Sequence, residues 1–337
     1  GLVAAYAASA QGQAMRSEAL ALMQGAAPLE SAEKAEVDNK GCLYGYGTYK
    51  LNLLAQYYWL TYRELRVKLR NKFLFVGIVM RSLVTALLFG SFYWNLDQDQ
   101  RGVQSYLGAM FMCLINGFVT FLIPALQVVP GQIHILRREH QGGMYSVLPY
   151  WAARITAELP FDTLAVTLFS VPTYYMIGLA GDEDFFAEFW ANMMCLMLVA
   201  SALGALVSAL APDGALALAL GAMCMMFSII PSGFVANLDK IPNYYSWMKD
   251  ISFCTYSWRW LNIAAWENFG VIVCSQSDLN AGICTAEQRQ YRTGMDVLRN
   301  LAIDTDEQDF SILMLFVIIA AFRALGFVAL YRKVSMA

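Results

Sequence analysis

Charge is scarce in this chain and histidine is almost absent. Charged residues make up 15% of the 337, against about 25% in an average soluble domain. The formal charge of −3 comes from 23 Lys+Arg against 26 Asp+Glu, so the cationic surface that nucleic acid requires is missing. The 2 histidines, His134 and His140, sit among arginines and are read as solvated or partner-facing rather than as metal ligands. No His-Glu-x-x-His zinc motif, Walker A pattern, Gly-rich dinucleotide loop or nucleophile elbow occurs, which leaves no constellation for covalent chemistry. No Asn-x-Ser/Thr sequon occurs either. Low charge together with high hydrophobicity also excludes a disordered chain.

What is present is apolar length. Hydrophobic residues account for 58% of the chain, in continuous rather than alternating runs. A helix needs roughly 20 mostly apolar residues to cross a bilayer, whereas a barrel strand needs about 10 of alternating polarity. The runs predict an all-α membrane protein with six transmembrane helices, at about 73–96, 103–130, 151–180, 188–211, 214–237 and 309–331. Pro124 and Pro130 predict a kink or early exit in the second span. The Pro212-Asp213-Gly214 turn separates the fourth from the fifth.

Orientation follows from Lys and Arg near span ends. Lys50, Arg63, Arg66, Lys68, Arg70 and Lys72 precede the first span, Arg137, Arg138 and Arg154 lie between the second and third, and Arg332 and Lys333 follow the sixth. The opposite short loops hold only Arg101. Both termini are therefore expected in the cytoplasm, and the long segment 238–308 outside it.

The flanking segments carry their own signals. Residues 1–40 lack the basic start and apolar core of a signal peptide, and Gly1 is expected to begin a fragment or processed product. Gly41, Gly45 and Gly47 read as a linker. Residues 49–72 mix Leu53, Leu54, Tyr57, Leu60, Leu65 and Leu69 at helical spacing with basic residues, which suits an amphipathic helix at the membrane surface or one packed on a partner. Aromatic residues crowd 241–269 and predict short helices dipping into the outer leaflet. Cys274 and Cys284, among polar residues on the oxidising side, are expected to form a disulfide rather than remain free thiols. Cys42, Cys113, Cys195, Cys224 and Cys254 have no metal spacing and read as packing residues. Charges within or beside the spans (Arg81, Arg154, Glu158, Asp162 and Arg323) lie toward the cytoplasmic ends, where snorkelling or mutual ion pairing accounts for them.

Several stretches, in order, resemble the membrane domain of the G subfamily of ABC transporters, the White and pleiotropic-drug-resistance relatives. They are the basic helix 57–70 with a first span ending in Gly90, Ser91, Phe92, Tyr93 and Trp94; Arg138-Glu139 followed by Gly143, Tyr145, Tyr150, Glu158 and Pro160; the run from Pro231 through Ser232, Gly233, Phe234, Val235 and Ala236 to Asn237; and a cysteine-bearing loop before a last span ending Tyr331-Arg332-Lys333. The resemblance covers about 50–337. It implies the type-2 ABC exporter membrane fold, with an amphipathic connecting helix at 52–70 and a coupling loop at 134–149. Arg137, Arg138 and Glu139 would meet a cytosolic partner there. It also implies two copies, identical or homologous, enclosing an apolar cavity lined by Asn116, Phe118, Phe121, Met225, Met226 and Ile229, with Phe234 and Val235 at an exit gate. The subfamily carries a nucleotide-binding domain before the membrane domain, so 1–48 would be the segment leading from it, and ATP and Mg are expected on that domain. The implied activity is ATP-driven export of hydrophobic or amphipathic substrates (lipid, sterol or xenobiotic) by alternating access, in the plasma membrane. The other reading is a membrane scaffold subunit that keeps the fold without the motor.

Overall fold

The computed structural model describes residues 51–96, 99–179, 183–235, 242–267, 269–274 and 291–335. Ten α-helices account for most of them: α1 Leu53–Arg70, α2 Lys72–Phe92, α3 Gln100–Gln141, α4 Val147–Ile177, α5 Glu183–Leu210, α6 Gly214–Ile229, α7 Ser246–Ile251, α8 Phe253–Trp266, α9 Gly294–Asn300 and α10 Gln308–Ser335. Among the described residues the only β pairing is two isolated bridges, Asp99 with Val273 and Val271 with Thr293. The fold is all-α, as the composition implies.

Side-chain caps begin the long helices where an apolar run meets a polar residue. Asn71 accepts from the N–H of Leu74 to start α2, Asp99 from that of Gly102 to start α3, and Asp213 from that of Leu216 to start α6. At the end of α4, Gly178 takes the left-handed conformation at φ 73°. The turn there is held by Tyr106, whose hydroxyl donates to the Gly178 carbonyl at 2.6 Å.

Among the described residues four helices are long and apolar enough to cross a membrane: Lys72–Phe92, Gln100–Gln141, Phe185–Leu210 and the stretch Thr305–Ser335 that contains α10. The remaining two expected spans differ for separate reasons. α4 is long enough at 31 residues, but Arg154, Glu158 and Asp162 dilute its first half. α6 has 16 residues, about 24 Å of helix against a hydrocarbon core of about 30 Å.

α3 runs through both Pro124 and Pro130 to Gln141, where an early exit or kink was expected from the sequence. Its 42 residues make a rod of about 63 Å, longer than the whole bilayer at about 45 Å. A proline removes one donor and crowds the carbonyl a turn earlier. Beside Pro130 the Val129 N–H donates to the Ser208 hydroxyl of α5 at 3.0 Å, tying this stretch of α3 to its neighbour.

The helices pack in two groups. α5 lies at the centre of one, against α3 and α10, while α4 packs against α2 and α1 in the other. The main core includes Phe118, Phe189, Met193, Leu196 and Met197, and it also takes in α8, whose Trp258 and Trp266 are fully buried. The aromatic segment thus divides: Tyr244, Tyr245 and Trp247 are exposed, while Phe253, Tyr256, Trp258, Trp260 and Trp266 are core. A second, smaller core gathers Leu60, Val129, Ile133, Leu136, Tyr145, Val147, Tyr150, Trp151, Leu330 and Val334 at the basic end.

α3 and α5 approach so closely at Gly204 that a Cβ there would lie 2.5 Å from that of Ala125 and 3.1 Å from the Leu122 carbonyl. Gly204→Val is therefore expected to destabilise the detergent-purified protein by about 1–3 kcal/mol, read as a lower midpoint of thermal unfolding. An unchanged midpoint would show that the two helices can part without cost.

Candidate functional site

The residues expected to meet a partner lie at the last turn of α3, and their side chains divide. The Glu139 carboxylate accepts from the Arg63 guanidinium of α1 at 3.2 Å and from the Tyr145 hydroxyl at 2.5 Å. The same guanidinium sits over the Tyr145 ring at 5.7 Å, and that ring stacks on Tyr150 with an 11° interplanar angle. Gln56 of α1 adds a further tie: its amide oxygen accepts from the Ser146 N–H at 3.0 Å while its amide donates to the Leu51 carbonyl. Arg137 turns the other way and donates to the Lys333 carbonyl near the end of α10 at 2.8 Å. Arg138 alone of the three is exposed. Glu139 and Arg137 thus bind the turn to its own chain, and Arg138 is the charge presented outward. Burial, reinforced by the hydrogen bond to Glu139, holds the Tyr145 phenol above its ordinary value.

The six expected cavity residues are not brought together. Phe118 belongs to the core, 1% exposed and 4.6 Å from the Phe253 ring. Asn116 and Phe121 line a cleft inside the protomer with Ser82, Thr85, Phe169 and Met193. Met226 is 56% exposed on the outward face of α6 beside Met223 and Phe227, with Met225 and Ile229 half-buried. At the expected gate, Phe234 stacks on Phe111 at 4.2 Å and meets Trp258 edge-on at 5.5 Å, while Val235 is exposed. α8 pins the preceding turn, because Thr255 donates to the Pro231 carbonyl and Ser252 to that of Ser228.

The charges near the spans also gather. Glu158 accepts from Arg154 at 3.0 Å and pairs with Lys68 at 3.6 Å, as the ion-pairing reading expected. Arg81 donates to the Thr120 carbonyl at 3.3 Å and Arg323 to the Ser201 hydroxyl at 2.6 Å. Asn192, a buried amide in an apolar helix, is satisfied by exchange with Ser257: it donates to that residue's carbonyl and accepts from its hydroxyl. Cys274 is disulfide-bonded; Cys284 lies outside the described residues, as do Cys42 and the segment 1–48. Cys113, Cys195, Cys224 and Cys254 are free.

The features that sequence reasoning missed are Arg63, Tyr145 and Gln56. Arg63 and Gln56 reach residues 76 and 90 positions away and stand in no motif, while Tyr145 stands in the motif with Glu139 but was not paired with it.

Long apolar helices, joined at one end to a basic helix and a polar clasp, define a membrane domain. Residues 55–265 match the ABC-2 type transporter model, and the chain belongs to that family of membrane domains. It is 25% identical over 286 residues to ABC transporter G family member 1 of Dictyostelium discoideum, covering 84% of this chain and 35% of the relative. Against ABC transporter G family member 23 of Arabidopsis thaliana it is 24% identical over 298 residues, 88% of this chain and 46% of the relative. Against the broad substrate specificity ATP-binding cassette transporter ABCG2 of Bos taurus it is 24% identical over 258 residues, 74% and 39%. The chain therefore spans less than half the length of each of these relatives.

Tyr145→Phe removes one donor to Glu139 and is expected to lower stability by about 1–2 kcal/mol. Because the folded phenol titrates above its ordinary value, its contribution is full below about pH 10 and declines as pH rises from there toward the folded value. Thermal melts at neutral and alkaline pH check this: the difference between wild type and variant should shrink at the alkaline end. A constant difference would mean the phenol proton is not what holds the clasp.

Proposed function

We propose that the chain is the transmembrane half of an ATP-driven exporter of hydrophobic or amphipathic substrates, working as a dimer with a second copy or a homologous half. The observation that supports this most is the clasp among Arg63, Glu139 and Tyr145. It makes the end of α3, the following turn and α1 into one unit, with Arg138 facing out from it. In this reading a nucleotide-binding domain, carrying ATP and Mg, presses on that unit from the cytoplasm. The Lys and Arg excess at that end of the helices agrees with both termini lying there.

Pressure on the clasp would pass along α3, whose length carries it from outside the bilayer to the far side. The two copies would then exchange between inward- and outward-facing arrangements, a population shift biased by nucleotide. The exposed Met223, Met226 and Phe227 of α6 would face the partner copy across a cavity, and methionine suits ligands of varied shape. Gln127, exposed on α3, needs such a surface or a watery cavity more than lipid. Phe234 and Val235 would close the cavity toward the exit. The bovine relative's printed name, a broad-specificity transporter, agrees with a cavity of this adaptable kind. Localisation in the plasma membrane follows from the same reading.

The test is coupled activity in proteoliposomes of the whole protein. Arg138→Glu should lower substrate-stimulated ATP hydrolysis and efflux together by roughly tenfold, the scale of losing one charged contact, with no change in thermal midpoint. Arg137→Ala should instead lower the midpoint, because it unties α3 from α10. If Arg138→Glu transports normally, its contact with a partner is wrong. If the wild-type protein shows no substrate-stimulated hydrolysis at all, the scaffold reading replaces this one.

A further inference from the structure

A cleft opens at the seam between the two helix groups, bounded by α3, α4, α5 and α10. Its polar floor is Arg154, Glu158, Ser201 and Arg323, and its walls are apolar, with Val128 and Ile155 among them. The charges do not balance. Glu158 is shared between Arg154 and Lys68, and Asp162, one turn further along α4, is within electrostatic reach of both Arg81 and Arg323. Four cations (Lys68, Arg81, Arg154 and Arg323) thus face Glu158 and Asp162, while Glu64, which also reaches Arg154, is paired with Arg63.

Arg154 is satisfied: it donates to Glu158 through two nitrogens and to Gln132 through the third. Arg323 is not. Of the five N–H donors of a guanidinium, one is spent on Ser201 at 2.6 Å. None of its nitrogens is among the buried side-chain atoms without a partner, so the spare donors are not sealed in protein, and Arg323 lines the cleft. Glu158 and Asp162 act on it electrostatically, but among the described residues neither closes to an ion pair with it, so a cation in this position still gains from a further anion. It does not escape by snorkelling either, since its hydrogen bond points it across to α5.

The geometry points to a binding site for the oxyanion headgroup of an acidic amphiphile, taken from the leaflet on the basic side of the bundle. Arg323 grips the headgroup, Arg154 and Lys68 supply the surrounding positive field, and the acyl chain runs out along the apolar walls. The site lies within one protomer, apart from the α6 face where a substrate cavity between copies is proposed, and it does not depend on transport.

Native mass spectrometry of the delipidated full-length protein in mild detergent tests it, with phosphatidic acid, oleate, phosphatidylcholine and inorganic phosphate as separate probes. Wild type is expected to retain one phosphatidic acid or oleate per chain in preference to phosphatidylcholine. Arg323→Gln should weaken that retention roughly tenfold to hundredfold, as for loss of a hydrogen bond to a charged group. Arg332→Gln, in the last turn of the same helix at its basic end, should not. Ala205→Phe fills the cleft without touching a charge and should abolish retention, so the result stands even if Arg323→Gln misfolds. Retention unchanged in Arg323→Gln or Ala205→Phe, or no preference for the acidic probes in wild type, overturns the site. Displacement of the acidic amphiphile by inorganic phosphate at equal concentration would make it a free-anion site and overturn the role of the acyl chain.

Discussion

A polar group inside hydrocarbon has no water to fall back on, and the arrangement of these helices follows from that constraint. The Val129 amide finds Ser208, Asn192 finds Ser257, and Arg81 finds the Thr120 carbonyl. Each of these bonds joins two helices that are not neighbours in sequence or, for Arg81, crosses from α2 to α3. Packing alone would let apolar helices slide, because lipid tails attract them as well as other helices do. The polar bonds set which residues stand opposite one another.

The same constraint explains why function concentrates at one end. At the basic end, the second core ties Leu60 of α1, Leu136 of α3, Trp151 of α4 and Leu330 of α10 together. Around it the Glu139 clasp and the Arg137 bond to the Lys333 carbonyl close the ends of three helices. Toward the middle, Ala165, Val166 and Phe169 of α4 join the main core beside Phe121 of α3, and both clefts lie along the seam between the two groups.

Much of this was legible in the sequence, and the parts that were not fail for identifiable reasons. Apolar runs disclosed the long helices because hydropathy accumulates over twenty residues. They missed the continuation of α3 to Gln141, since that stretch is helical through burial of Ile133 and Leu136 in the second core rather than through apolar composition. The aromatic segment read as interfacial, yet Trp258 and Trp266 are buried: composition cannot distinguish a lipid headgroup from a protein core as the medium around an indole. Phe118, on the same helix as Asn116, is buried within the protomer beside Phe253, a contact between residues distant in sequence that no local pattern signals. Arg63 and Tyr145 meet Glu139 only once the chain has folded back on itself.

The shortness of α6 has a consequence for the surrounding membrane. About 24 Å of helix stands against roughly 30 Å of hydrocarbon, and the chain completes that depth through the turn from Ile230 to Ser232, tied down by α8. Lipid beside the outward Met226 and Phe227 must compress to match, at a fraction of a kcal/mol per ångström of mismatch. Covering that face with another protein surface releases the compressed lipid. In the dimer proposed above, bilayer thickness would thereby become a variable of assembly: a thicker membrane would strengthen pairing through α6, and a thin one would relax it.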